Sequence, residues 1–245
     1  MNEIRDLIIG IDIGKEYTQI CYYDRKAEEA RSLSMKVGSS QYEAPGCICY
    51  RTGQDDYCVG LEAEYFAREK GGIMIGNIYD ICCKEEKMQV AGEEKTPEEL
   101  MAHYLREILK FLGIQDIIKN TKCLCITSPG LTGTQVRNYQ KACELAGFSK
   151  EKYMLMDYGE SFYYYALGQK RETWNRSVGW YAFADDKVTF RKLTINGSAR
   201  PVLVKMEDPV STELAPEDEI RDVEFYRFVN KTLGKELFSS VQITG

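Results

Sequence analysis

Ile8-Ile9-Gly10-Ile11-Asp12-Ile13-Gly14, then Lys15-Glu16, then Tyr17-Thr18-Gln19-Ile20-Cys21-Tyr22-Tyr23-Asp24, is the stretch from which the rest of this chain is read. Two apolar runs joined by a glycine and two charged residues predict a β-hairpin over 7–14 and 17–24. One carboxylate interrupts the first run. Burying a carboxylate costs several kcal/mol unless it is hydrogen-bonded or faces a cation, so Asp12 marks the mouth of a site. An Asp-x-Gly turn between paired strands points to a phosphate or a metal-bound phosphate.

Outside the hairpin, composition narrows the possibilities. The chain has 245 residues, 44% apolar, with a net charge of -6, enough for one large domain or two small ones with cores of their own. Lys and Arg are spread among acids, which argues against a nucleic-acid partner. No apolar run approaches the roughly 18 residues of a membrane span. Met1–Asp6 carries no basic signal-peptide start, so the expected location is the cytoplasm. None of the nine cysteines forms a C-x-x-C pair. Cys47/Cys49 and Cys123/Cys125 fall in strand-like runs and read as free thiols rather than metal ligands. The single histidine, His103, lies on a predicted helix and reads as an ordinary helix residue.

Strand signals follow the hairpin near Ser32–Val37, Cys47–Tyr50 and Tyr57–Val59, then a short helix over Glu62–Glu69. Ile73–Cys83 and Lys87–Val90 are apolar but irregular and carry no assignment. Thr96-Pro97-Glu98-Glu99 spells a capping box with proline at the first helical position, and a helix runs from it to about Leu112. Lys122–Thr127 is a strand, and Thr132 caps a helix that Gly147 ends. Tyr153–Met156 is a strand, followed by a helix from about Gly159 to Leu167. After the polar link Gln169–Arg176 come three strand-like runs, Val178–Ala184, Lys187–Ile195 and Arg200–Met206. Asn196-Gly197 between the last two is a tight-turn signal. The acidic stretch Glu213–Glu224 reads as a solvated link into a helix, and Ser239–Thr244 as one more strand. Alternating strands and helices in the first part predict an α/β fold with parallel strands.

This order of motifs resembles the actin-like ATPase superfamily, most closely the nucleotide-binding domain of the seventy-kilodalton heat-shock chaperones. Asp12-Ile13-Gly14 with Tyr17-Thr18 resembles the family's first phosphate turn. Ala44-Pro45-Gly46-Cys47-Ile48 and Val59-Gly60-Leu61-Glu62-Ala63 are similar to the chaperones' proline-containing strand and valine-glycine-x-x-alanine run. Thr127-Ser128-Pro129-Gly130-Leu131 with Gln135–Gly147 resembles their threonine-x-proline turn and the helix after it. Glu160 is similar to the family's interdomain glutamate. The resemblance implies a ribonuclease-H-like fold: one complete hairpin-led α/β domain over 1–170, with a small β-rich insert at about 32–95, and part of a second domain over 171–245. It also implies ATP and magnesium as ligands, with Asp12, Gly14, Lys15, Tyr17 and Thr18 at the nucleotide, Asp12 acting through magnesium, and Asp12 and Glu160 as the catalytic candidates. Ile243-Thr244-Gly245 resembles the start of the adenosine-binding turn, so a chain continuing past Gly245 is expected.

The chemistry departs from that pattern. The family holds phosphates between two glycine-rich hairpins, and the second should lie at Tyr181–Val188. Ala182 stands where its aspartate is expected, and Ala184-Asp185-Asp186 replace its glycines. Two like charges at about 4 Å repel by roughly 4 kcal/mol at an effective dielectric of about 20, which opposes phosphate binding there. Lys15-Glu16 replace hydroxyl residues in the first hairpin, and Gly72 stands at the position of a lysine. Phe162-Tyr163-Tyr164-Tyr165 occupy a helix where the relatives keep small residues, either as core or facing a cleft or partner. The expectation is a degenerate ATPase-fold domain acting through protein interaction or assembly, with an unidentified protein or its own copies as partner. The alternative is an active ATPase or small-molecule kinase using Asp12 and residues beyond Gly245.

Overall fold

A computed structural model of the chain describes residues 6–36, 38–68, 71–170, 176–184, 187–215 and 218–234. Contacts divide the protein into two compact units, Met1–Tyr158 and Gly159–Gly245; sequence reasoning placed the division after residue 170. The fold is mixed α/β, with several sheets and seven α-helices among the described residues. None of those helices is long and apolar enough to cross a membrane.

The first unit opens with β1 (Leu7–Ile13), β2 (Tyr17–Asp24) and β3 (Glu29–Ser32), an antiparallel meander. Next in the chain are β4 (Glu43–Pro45), β5 (Cys47–Arg51), β6 (Asp56–Val59), α1 (Gly60–Arg68), β7 (Gly72–Asn77), α2 (Ile78–Cys82), β8 (Met88–Val90) and β9 (Glu93–Lys95). Then come α3 (Pro97–Lys110), α4 (Ile117–Asn120), β10 (Thr121–Ser128), α5 (Gly133–Ala146) and β11 (Tyr153–Asp157). The main sheet has the order β11-β10-β1-β2-β3, with β4 also on β2. β10 runs parallel to β1, and β11 runs parallel to β10.

Period-two burial explains β1. Leu7, Ile9, Ile11 and Ile13 are buried, while Ile8, Gly10 and Asp12 face a half-exposed side. The buried side meets Leu100, Tyr104 and Ile108 of α3 and Tyr139, Ala142 and Cys143 of α5 in one cluster. Burying an Ile or Leu fully is worth about 1.5–3 kcal/mol, so this two-helix cover is the main source of the unit's stability. The capping box expected at Thr96 with Glu99 forms, the cap expected at Thr132 proves to be a capping box with Gln135, and Gly147 at φ 108° ends α5.

The expected strand at Ser32–Val37 is corrected. β3 ends at Ser32, and Ser34 Oγ turns toward the carbonyls of Lys36, Ser39 and Gln41, drawing the chain into a loop. The unassigned Ile73–Cys83 proves to be β7 plus α2, with Asn77 Oδ1 accepting the Tyr79 N–H at 2.8 Å as helix cap.

The second unit contains α6 (Tyr158–Gly168, which starts at the division), β12 (Arg176–Ala184), β13 (Lys187–Asn196), β14 (Leu203–Met206), β15 (Val210–Glu213) and α7 (Asp218–Leu233). β12 and β13 form an antiparallel pair, and β14 and β15 both pair with the other edge of β13. Asn196-Gly197 is not a two-residue turn. Asn196 pairs with Leu203, leaving six residues between them as a loop in which Asn196 Oδ1 accepts the Ser198 N–H at 3.2 Å. The acidic stretch read as a link begins inside β15, a strand whose exposed residues give no alternating apolar signal. Asp185, Asp186 and the expected strand Ser239–Thr244 lie outside the described residues.

Candidate functional site

Three strand ends converge on one edge of the first unit's sheet. β1 stops at Ile13, β10 at Ser128 and β11 at Asp157, and Ser128 Oγ donates to the Ile13 carbonyl at 2.9 Å. In open sheets with parallel strands, ligands bind outside that carboxyl edge. Asp12 is the carboxylate placed there.

Register sets Asp12 beside Thr127, whose hydroxyl donates to Asp12 Oδ1 at 3.2 Å. The Tyr158 hydroxyl is a second donor to the same carboxylate. Burial pushes the Asp12 pKa up, and the bonds from Tyr158 and Thr127 pull against that shift. Burial, followed by the charge of Asp12 and the bond to it, raises the Tyr158 phenol well above its usual range. In this contact the phenol O–H is the donor and the Asp12 carboxylate the acceptor.

The turn after Asp12 is braced from both sides. The Gly14 N–H donates to the Tyr17 carbonyl at 2.9 Å. The Lys15 carbonyl accepts Asn77 Nδ2 at 2.6 Å, and the Glu16 carbonyl accepts the Gly46 N–H at 2.7 Å. Asn77 thus does two jobs: its oxygen caps α2 while its nitrogen grips the turn. The chemical capacity of the turn is a carboxylate with two hydroxyl donors, beside the exposed side chains of Lys15 and Tyr17.

Of the other expected site residues, Thr18 belongs to the first unit and Glu160 and Ala182 to the second. Thr18 is fully buried and accepts the Tyr104 hydroxyl at 2.8 Å, so it does not face the turn. Alternation along β2 is the reason, since Tyr17 and Gln19 point the other way. Glu160 is exposed on α6; Tyr158, two positions earlier and at the end of the first unit, contacts Asp12. Ala182 lies in β12 opposite Thr189. Phe162 stacks on Trp180 at 4.2 Å, whereas Tyr164 and Tyr165 are exposed, so the aromatic run is divided between packing and solvent. Gly72 has a steric cause: a Cβ there would lie 2.0 Å from the Phe66 carbonyl oxygen, so this backbone admits no lysine.

Residues 29–245 match a family model described as "Family of unknown function (DUF5716) C-terminal". The chain belongs to that family. No curated protein matches it. In this member of the DUF5716 C-terminal family the match begins at the first residue of β3, so Asp12 and its turn precede the matched stretch. Asn77, Thr127 and Tyr158, the residues that hold the turn, lie within it.

Among the described residues no group of three or more His, Cys, Asp or Glu side chains is placed to hold a metal ion. Cys49 and Cys58 sit opposite each other on β5 and β6, buried as free thiols, and burial first of all pushes Cys58 up to about 12. His103 stacks on Tyr57 with ring centres 4.0 Å apart, and burial lowers its pKa. Asn77 and Tyr158 were not singled out from the sequence. The one available signal for Asn77 was its cap-forming position before Ile78-Tyr79-Asp80; for Tyr158 it was its place directly after a strand end.

Proposed function

We propose that this chain is a degenerate actin-like, heat-shock-chaperone-like ATPase-fold domain that works in the cytoplasm as a protein-interaction or assembly module, with little or no ATP hydrolysis. One observation carries the reading. The Asp12 carboxylate and the Gly14 amide, which the resemblance assigns to metal and phosphate, are both engaged by partners inside the protein. A backbone amide already bonded to a carbonyl is not available to an anion, and a carboxylate with two hydroxyl donors gains less from a cation.

Two further features support it. An antiparallel meander extended on its first strand by two parallel strands, with the Asp-x-Gly turn at the carboxyl edge, agrees with a ribonuclease-H-like core. The backbone at Gly72 leaves no room for the lysine of the chaperones. A framework kept without its phosphate contacts suits binding to another protein or to a second copy.

Calorimetric titration of the natural full-length protein with magnesium and ATP, alongside a phosphate-release assay, tests the reading. The expected outcome is no sub-millimolar binding and no phosphate release. Sub-millimolar binding with release that disappears in Asp12→Ala overturns it in favour of an ATPase or kinase.

A further inference from the structure

β15 and α7 enclose a groove within the second unit. The whole of β15 lines one wall, and Glu224, Arg227, Phe228 and Lys231, from two turns of α7, line the other around a volume of about 270 Å³. Strand and helix therefore run alongside each other. Val210 and Thr212 pair with Phe190 and Val188, which share a buried cluster with Phe228, so their side chains face α7 and form the floor. Along its other edge β15 pairs with no strand among the described residues. Such an edge offers N–H and C=O groups to an added strand.

The charges in the groove are unevenly committed. Glu224 accepts the Ala215 N–H at 2.7 Å, and register places Glu213 opposite Lys187. Arg227 and Lys231 are exposed and have no ion-pair partner among the described residues. Four positions apart on α7, they share a face and are separated by about 6 Å along the helix. Alternate side chains of a strand are about 6.7 Å apart. Two acids at alternate positions of an extended segment thus match the two cations.

We propose that this groove takes an extended segment of another protein as an added strand on β15, and that the segment carries two acidic side chains at alternate positions, which meet Arg227 and Lys231. This rests on the interaction half of the reading above and is independent of whether ATP is hydrolysed. Backbone pairing supplies the docking, and the two cations select the sequence.

The test titrates the full chain with short labelled peptides, read by fluorescence anisotropy. One peptide alternates glutamate with threonine, a second alternates lysine with threonine, and a third is the glutamate peptide with methylated backbone amides, which cannot donate to a strand. An oligothymidylate reports binding of any polyanion. Two exposed ion pairs together change affinity by about ten-fold. The glutamate peptide is expected to bind at least that much more tightly than the other two and to slow hydrogen exchange in Val210–Glu213. Arg227→Glu/Lys231→Glu, a change of two exposed side chains, is expected to remove the preference for glutamate over lysine while the circular dichroism spectrum is unchanged. Equal binding of the three peptides, equal binding of the oligothymidylate, protection outside β15 or an unchanged preference in the double variant overturns the proposal. Protection of β15 that rises with protein concentration alone assigns the groove to a second copy and overturns it as well. None of these outcomes alters the ATP titration, so the reading of the domain stands or fails separately.

Discussion

The β1–β2 hairpin packs Leu7, Ile9, Ile11 and Ile13 beneath two helices in one large cluster, whereas among the described residues the β12–β13 hairpin shares a smaller core of Val188, Phe190, Leu214 and Phe228. The second hairpin compensates with rings. Tyr181 meets Phe190 at 4.8 Å and Phe225 at 5.6 Å, and Phe183 meets Phe225 at 4.9 Å. Aromatic side chains bury much area per residue, so a small unit can close with few of them, but each then carries a larger share of the stability. The first unit spreads its stability over many residues; the second concentrates it.

The sharpest way to break this contrast is to remove one residue from each core. Phe228→Ala is expected to cost about 3–5 kcal/mol and to abolish hydrogen-exchange protection along β13 while β1 stays protected. Ile11→Ala is expected to cost about 2–5 kcal/mol in the first unit and to leave it folded. Survival of β13 protection in Phe228→Ala would show that the second unit is not held by so few groups.

A milder test uses a glycine that each hairpin covers with a side chain from its partner strand. A Cβ on Gly179 would lie 2.7 and 2.9 Å from ring atoms of Phe190, and a Cβ on Gly10 would lie 2.8 Å from Cys21 Sγ. The Phe190 ring is buried against Tyr181, while the exposed Cys21 thiol can swing away. Gly179→Ala is thus expected to cost about 1–3 kcal/mol and Gly10→Ala less than about 1 kcal/mol, measured by urea denaturation. The reverse order would mean that the second core is looser than its rings suggest.

The smallest effect concerns Asp12. Its carboxyl is raised above the usual value by burial, so the native state holds its proton where the unfolded chain has lost it. Stability from this group is fully present below the unfolded pKa and is lost as pH rises through the folded one. His103 acts in the opposite sense: its lowered pKa gives stability present above the unfolded value and lost as pH falls through the folded one. In denaturation series run from acidic to neutral pH, wild type is expected to lose stability relative to Asp12→Asn. A flat difference would show that Tyr158 and Thr127 compensate the carboxylate fully.

Features built from near neighbours were legible in the sequence. Thr96 with Glu99, Thr132 with Gln135 and the glycine at 147 each involve partners within a few residues, so their chemistry is written locally. The failures are non-local or lack periodicity. Asn196-Gly197 has the dipeptide of a tight turn, yet the pairing of β13 with β14 leaves a longer loop there. β15 is exposed and carries no alternating signal, and the need for glycine at 72 is decided by the Phe66 carbonyl.

The candidate site divides along the same line. By itself the sequence determined that Asp12 ends an apolar strand at a glycine turn, because hydrophobic alternation and turn chemistry are properties of adjacent residues. Only the tertiary structure decided what Asp12 does there. Thr127 reaches it through strand register, Asn77 grips its turn from 62 residues away, and Tyr158 arrives at the end of β11. No local pattern encodes which distant hydroxyl meets a carboxylate, because that depends on where separate strands end in space.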